Sequence, residues 1–175
     1  MISLVPALLL LFSPQANPRV SMEIENRGKL VIELFPKEAP KTVEHFLDLV
    51  KKGFYNGVRF HRVENKPRPF IAVTGDPLTK TLPLDDERIG TGGSGKKVPF
   101  EKNNVPFLNG TLGLVRDEKD ENSGDSQFFI CIGNQRFLDG RYVAFGRVVE
   151  GLELLPKIQR GDKIVRMTVI NQMED

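Results

Sequence analysis

From Val20 onward, apolar and polar positions alternate with a period of two: Val20, Met22 and Ile24 against Ser21, Glu23 and Glu25. After Asn26-Arg27-Gly28 the alternation resumes, with Leu30, Ile32 and Leu34 against Val31 and Glu33. This predicts a β-hairpin with one face in water. At Pro40 the period changes: Val43, Phe46, Leu47 and Val50 fall at i, i+3, i+4 and i+7. That spacing predicts a helix opened by Pro40 and closed by Gly53. His45 on this helix is expected to be exposed or half-exposed, since no second ligand stands one turn away. Tyr55 to Arg62 reads as a return to strand, with His61 and Arg62 on opposite faces.

Further on, Asn65 to Pro69 (NKPRP) marks a stiff excursion before a strand at Phe70 to Val73. Leu78 to Ile89 shows neither period and reads as a loop. Gly110 to Arg116 is strand-like, as are Phe128 to Ile132 and Tyr142 to Phe145, with Gly133-Asn134 and Leu138-Asp139-Gly140 as turn signals. A short helix over Leu152 to Ile158 and a last strand over Lys163 to Met173 complete the pattern. Many short strands and two short helices predict a β-barrel or sandwich.

The N-terminus is different. Ile2 to Phe12 is an unbroken apolar run, too short for the ~20 residues that span a bilayer. It suits the core of a secretory signal peptide over residues 1–16, cleaved after Ala16. A periplasmic or secreted protein is the expectation if that signal operates, and a cytoplasmic one otherwise.

Composition adds mainly exclusions. A chain of 175 residues fits one domain, and its formal charge of +2 selects no partner. Without a basic stripe interleaved with aromatics, nucleic acid is not indicated. The single Cys131 cannot form an internal disulfide and, within an apolar run, reads as a buried inert thiol. Gly90 to Gly95 satisfies G-x-G-x-x-G, but Pro99 follows where a helix should open, and Lys97 stands where a phosphate loop needs Ser or Thr. The acidic loop Asp117 to Asp125 fails the calcium-loop spacing and reads as a solvated edge. There is no G-x-S-x-G, no paired metal ligands, and only two histidines. No metal or cofactor is expected. What remains is an arginine beside phenylalanines, which suits a reaction needing no proton transfer.

Two blocks carry a family resemblance. Ser126 to Ile130 (SQFFI) followed by Phe137 to Gly151 (FLDGRYVAFGRVVEG), and Tyr55 to Arg62 (YNGVRFHR), resemble the signatures of the cyclophilin-type peptidyl-prolyl isomerases, with Gly90 to Gly93 between them. The resemblance runs from Val20 to the C-terminus. It implies a domain over residues 20–175, built as a closed eight-stranded antiparallel β-barrel capped by two α-helices. It implies an isomerase of X-Pro bonds in unfolded or extended protein segments, monomeric and without stable membrane insertion. Arg62 is the catalytic group by this likeness, with Phe70, Gln127 and Phe129 beside it. Ile71, Val115, Arg116, Phe137, Leu138 and Tyr142 form the substrate-binding set.

Three positions depart from the family pattern. About three extra residues separate Arg62 from Phe70, Tyr142 replaces a rim histidine, and Val73 stands where a glutamine orients the arginine. Val73 has no acceptor for a guanidinium. A proline-peptide-binding module or holdase on the same barrel, with weak or no isomerase activity, is the alternative. The resemblance also places a second pocket beside the acidic loop, where its carboxylates would favour cationic residues preceding the X-Pro pair.

Overall fold

The computed structural model describes residues 16–170, so the apolar run of the expected signal peptide lies outside the described residues. The hairpin forms as expected from β1 (Arg19–Ile24) and β2 (Gly28–Leu34), with Val20, Met22, Ile24, Leu30, Ile32 and Leu34 all buried. Gly28 at its turn has φ +130, a conformation that favours glycine. Helix α1 (Pro40–Lys51) begins at the expected proline, and Gly53 beyond its end takes φ +70. Its free N-terminal amides are met from far along the chain. Glu101 accepts from the backbone N–H of Lys41 at 3.0 Å and of Thr42 at 2.7 Å.

The remaining strands are β3 (Arg62–Glu64), β4 (Ile71–Thr74), β5 (Thr111–Leu114), β6 (Phe128–Cys131), β7 (Ala144–Glu150) and β8 (Ile164–Ile170). They form one antiparallel sheet in the order β3-β4-β6-β5-β7-β2-β1-β8. The sheet curls, but its end strands β3 and β8 do not pair with each other. Closure is partial and is made by the segment before β3: Gly57 N–H donates to Ile164 O at 2.7 Å, and Ile164 N–H to Val58 O at 2.8 Å.

That segment is also where the expected strand at Tyr55 to Arg62 is corrected. Residues 52–57 form turns, because Gly53 and Gly57 both take positive φ, and the regular strand begins only at Arg62. The second helix, Leu152–Lys157, is a 3₁₀ helix rather than an α-helix, with Pro156 inside it. Proline lacks the N–H that an α-helical continuation would use.

The main core lies inside the curl, between the sheet and α1. Phe46 packs edge-on to Phe128 at 5.4 Å and to Phe145 at 5.1 Å between ring centroids, and Tyr55 meets Phe128 at 5.5 Å. His45 belongs to the buried side of α1, contrary to expectation. It is only 4% exposed, and its Nε2 lies 3.3 Å from Asp125 Oδ1. An acceptor 80 residues away lets a polar side chain sit where the helix faces the protein.

Candidate active site

Successive residues of a strand face opposite sides of the sheet, so β4 and β6 each carry two surfaces. Ala72, Phe128 and Ile130 face the main core. Ile71, Val73, Phe129 and Cys131 face the other way, and with Phe107, Leu138 and Ala144 they form a second buried cluster. The pairing Gly113↔Phe129 fixes its centre: a Cβ at Gly113 would overlap the Phe129 ring, so only glycine leaves room for it. Phe107 stacks on Phe129 at 5.6 Å, and Tyr142 meets it edge-on at 5.4 Å.

Above this cluster is a cavity of about 450 Å³. Its floor is Phe70, Ile71, Phe129 and Leu138; Val73 and Ile89 also border it, and Arg62, Gln127, Val115, Arg116 and Tyr142 stand around it. Of the site residues expected from sequence, only Phe137 does not line it. Phe137 is 59% exposed and tilts over Phe70 at 5.7 Å, extending the apolar surface outward from the rim. His61 borders the cavity as well as Arg62, although the two are neighbours in sequence, because regular strand starts only at Arg62. Burial, above all, holds the His61 imidazole below its ordinary pKa, so it is neutral at pH 7.

Gln127, Ser126 and Arg116 are each placed by a long-range contact. The Gln127 amide donates to Gly90 O at 2.9 Å and to Gly92 O at 2.8 Å, tying β6 to the glycine-rich loop. Tyr55 Oη donates to Ser126 O at 3.0 Å, and Ser126 Oγ donates to Gly75 O at 2.8 Å, fixing the residue before Gln127. The Arg116 guanidinium covers the Tyr142 ring at 5.1 Å and donates to Arg141 O at 3.0 Å. The extra residues between Arg62 and Phe70 loop out without disturbing the site. Phe70 N–H donates to Glu64 O at 2.9 Å, and the register Arg62↔Val73 holds.

The glycine-rich loop thereby has a role other than phosphate binding. A Cβ at Gly92 would overlap Asp76, and one at Gly93 would overlap Asp125, so the loop lies close against two carboxylates. Asp76 accepts from Gly90 N–H at 2.5 Å, and Asp125 accepts from Gly95 N–H at 2.9 Å and from Ser94 Oγ. A second cavity of about 600 Å³ opens on this side and shares Gly90, Val115, Arg116 and Gln127 with the first. The two make one extended groove. Of the acidic loop, Asp117 and Asp125 border the second cavity and Glu118 the first. Asp125 is already engaged, and Arg116 and Lys97 stand among the lining residues, so the groove is less negative than the bare sequence suggests.

Two features escaped sequence reasoning. Phe107 lies outside any motif, yet it is fully buried at the centre of the outer cluster. Asp139 accepts from Phe107 N–H at 2.8 Å, and that bond, with Arg136 adding to it, holds the carboxyl below its ordinary range. The Cys131 thiol is fully buried, and its pKa is pushed up to about 12 by burial and by the nearby Asp139. An apolar floor, one exposed guanidinium and anchored backbone suit binding an extended apolar segment and hydrogen-bonding one of its atoms.

Residues 19–174 match the family described as cyclophilin type peptidyl-prolyl cis-trans isomerase/CLD. A probable peptidyl-prolyl cis-trans isomerase of Brucella suis is 39% identical over 156 residues, covering 81% of this chain and 78% of the relative. A peptidyl-prolyl cis-trans isomerase of Helicobacter pylori is 38% identical over 143 residues, covering 79% of each. The crystal structure of a Cryptosporidium parvum cyclophilin-type isomerase superposes with a TM-score of 0.77 at 26% identity, covering 90% of this chain and 99% of that one.

Proposed function

The chain belongs to the cyclophilin-type peptidyl-prolyl cis-trans isomerases and acts on proline-containing peptides, and we propose that it does so with Arg62 over the outer face of β4 and β6. The observation that carries this reading is the convergence of Arg62, Gln127 and an apolar floor on one cavity.

Rotation about a peptide bond meets a barrier of ~18–20 kcal/mol because the nitrogen lone pair is delocalised into the carbonyl. At X-Pro the uncatalysed exchange takes tens to hundreds of seconds. Twisting the bond localises that lone pair and makes the nitrogen an acceptor. Phe70, Ile71, Phe129 and Leu138 would take the proline ring and exclude water that favours the planar, polar ground state. The guanidinium, 57% exposed on its side chain and bordering the cavity, would donate to the nitrogen as it pyramidalises. This is stabilisation of the transition state without covalent chemistry or proton transfer. Residues preceding the X-Pro pair would run toward the second cavity.

The alternative of a holdase or binding module rests on Val73, which offers no acceptor to orient the arginine. The ion pair Arg62–Glu64 weakens that objection. For location, the expected signal segment supports an exported protein, and an intact mass of the native protein beginning near Asn17 or Pro18 rather than Met1 is the test.

Arg62→Ala is expected to lower kcat/KM on an Ala-Pro peptide by about 10²–10³, as for loss of one preorganised donor. Exchange spectroscopy on the peptide reads this directly. Equal rates for the variant and the wild type would overturn the assignment of Arg62.

A further inference from the structure

We infer that Glu64 is the positioning residue for Arg62, doing from the same strand what the cross-strand Val73 cannot do. The inference rests on the reading of Arg62 as the catalytic group. β3 pairs with β4 in the register Arg62↔Val73, Val63↔Ala72 and Glu64↔Ile71. Residues two apart on a strand share a face, so Arg62 and Glu64 stand together on the outer side. Val63 turns inward against the main core. Directly opposite Arg62 is a side chain with no acceptor.

The carboxylate supplies it. Glu64 Oε1 accepts from Arg62 Nε at 2.6 Å and lies 2.5 Å from Nη2. Two edges of the guanidinium fork converge on one oxygen, and the remaining N–H groups of its five stay free. Arg62 borders the proline cavity, whereas Glu64 does not and lines a separate cavity with Lys66, Lys157 and Arg160. The carboxylate therefore holds the guanidinium from outside the site and leaves the substrate side open. Its own backbone is fixed, since Glu64 O accepts from Phe70 N–H at 2.9 Å, at the base of the extra loop.

Both side chains are substantially exposed, 57% for Arg62 and 42% for Glu64. Such a pair contributes little to folding. Its effect falls on function: an arginine side chain held in one rotamer has less freedom to lose when it meets the twisting bond. The substitution to watch is thus silent in stability and visible in turnover.

The experiment measures kcat and KM on an Ala-Pro peptide for the wild type, Glu64→Ala, Glu64→Gln, Arg62→Ala and the double variant Arg62→Ala/Glu64→Ala. Glu64→Ala is expected to lower kcat roughly three- to ten-fold with little change in KM or Tm. Glu64→Gln, which keeps an acceptor oxygen, should retain most of the activity. Glu64→Ala should cost nothing further once Arg62 is gone. Adding Val73→Gln to Glu64→Ala should restore turnover by offering an acceptor from across the strand pair. Full or raised activity in Glu64→Ala, beside an impaired Arg62→Ala, overturns the role of Glu64 and leaves that of Arg62 standing. The same holds if the Glu64→Ala loss persists undiminished in the Arg62→Ala background. A fully active Arg62→Ala overturns both.

Discussion

Inward from β4 and β6, Ala72, Phe128 and Ile130 are completely buried, and their neighbours Phe46, Tyr55 and Phe145 close over them from α1, the following turn and β7. Outward from the same two strands, Ile71, Val73, Phe129 and Cys131 are almost as dry, between 0% and 7% exposed. The composition of the two faces is nearly alike. What differs is the layer above. On the inner side a helix supplies a continuous apolar cover. On the outer side the cover consists of loops and single side chains, and it leaves a cavity with the guanidinium groups of Arg62 and Arg116 at its edge. Apolar surface over which the protein itself closes gives stability. Apolar surface over which it does not close is available to a substrate.

The inner face gives the largest expected effect. Phe128→Ala removes a ring packed among Phe46, Tyr55 and Phe145, and it should cost about 3–5 kcal/mol in denaturant unfolding. Turnover per folded molecule should be retained. A large loss of kcat in the folded fraction would show that the two faces are not separable.

Phe137→Ala tests the outer rim. The ring is mostly exposed and touches Phe70, so Tm should hardly move. Loss of an aromatic contact worth ~0.5–1.5 kcal/mol should raise KM roughly two- to ten-fold. A fall in stability as large as that of Phe128→Ala would erase the distinction between the faces.

The smallest effect belongs to the acidic loop. Peptides with Lys rather than Glu two or three residues before the proline should be preferred by a few-fold at most, since exposed pairs are worth ~0.2–1 kcal/mol. Salt should remove the preference, and Arg116 and Lys97 in the groove keep it small. Equal turnover of both peptides at low salt would reduce Asp117 and Glu118 to a solvated edge.

The hairpin and α1 were legible because their periodicity reports burial directly, whereas Tyr55 to Gly57, expected as strand, turns at Gly53 and Gly57. The two faces of β6 were not, since Phe128 to Ile132 is apolar at every position and alternation disappears where both sides are dry. His45 was misread for a related reason. A polar residue on a helix suggests water until its acceptor, Asp125, is known, and that acceptor lies far along the chain. The second helix kept its place but not its type, because Pro156 falls within it. Arg62 stood out only through its motif. Glu64 carried no signal beyond being polar and two residues away, and it acquired meaning only when the register put Val73 opposite the arginine.

Volume does not single out the outer face, since a cavity of about 760 Å³ lies elsewhere, beside α1 and Lys96, Lys97 and Val98. The most direct test is therefore to titrate the isotopically labelled protein with an Ala-Pro peptide and follow its backbone amides. Shifts and exchange broadening should concentrate at Arg62, Ile71, Val115, Gln127 and Phe129, with the amides of α1, Lys96 and Val98, which line only the other cavity, unmoved. Perturbations centred on α1 and Lys96, with the outer face of β4 and β6 silent, would contradict the account.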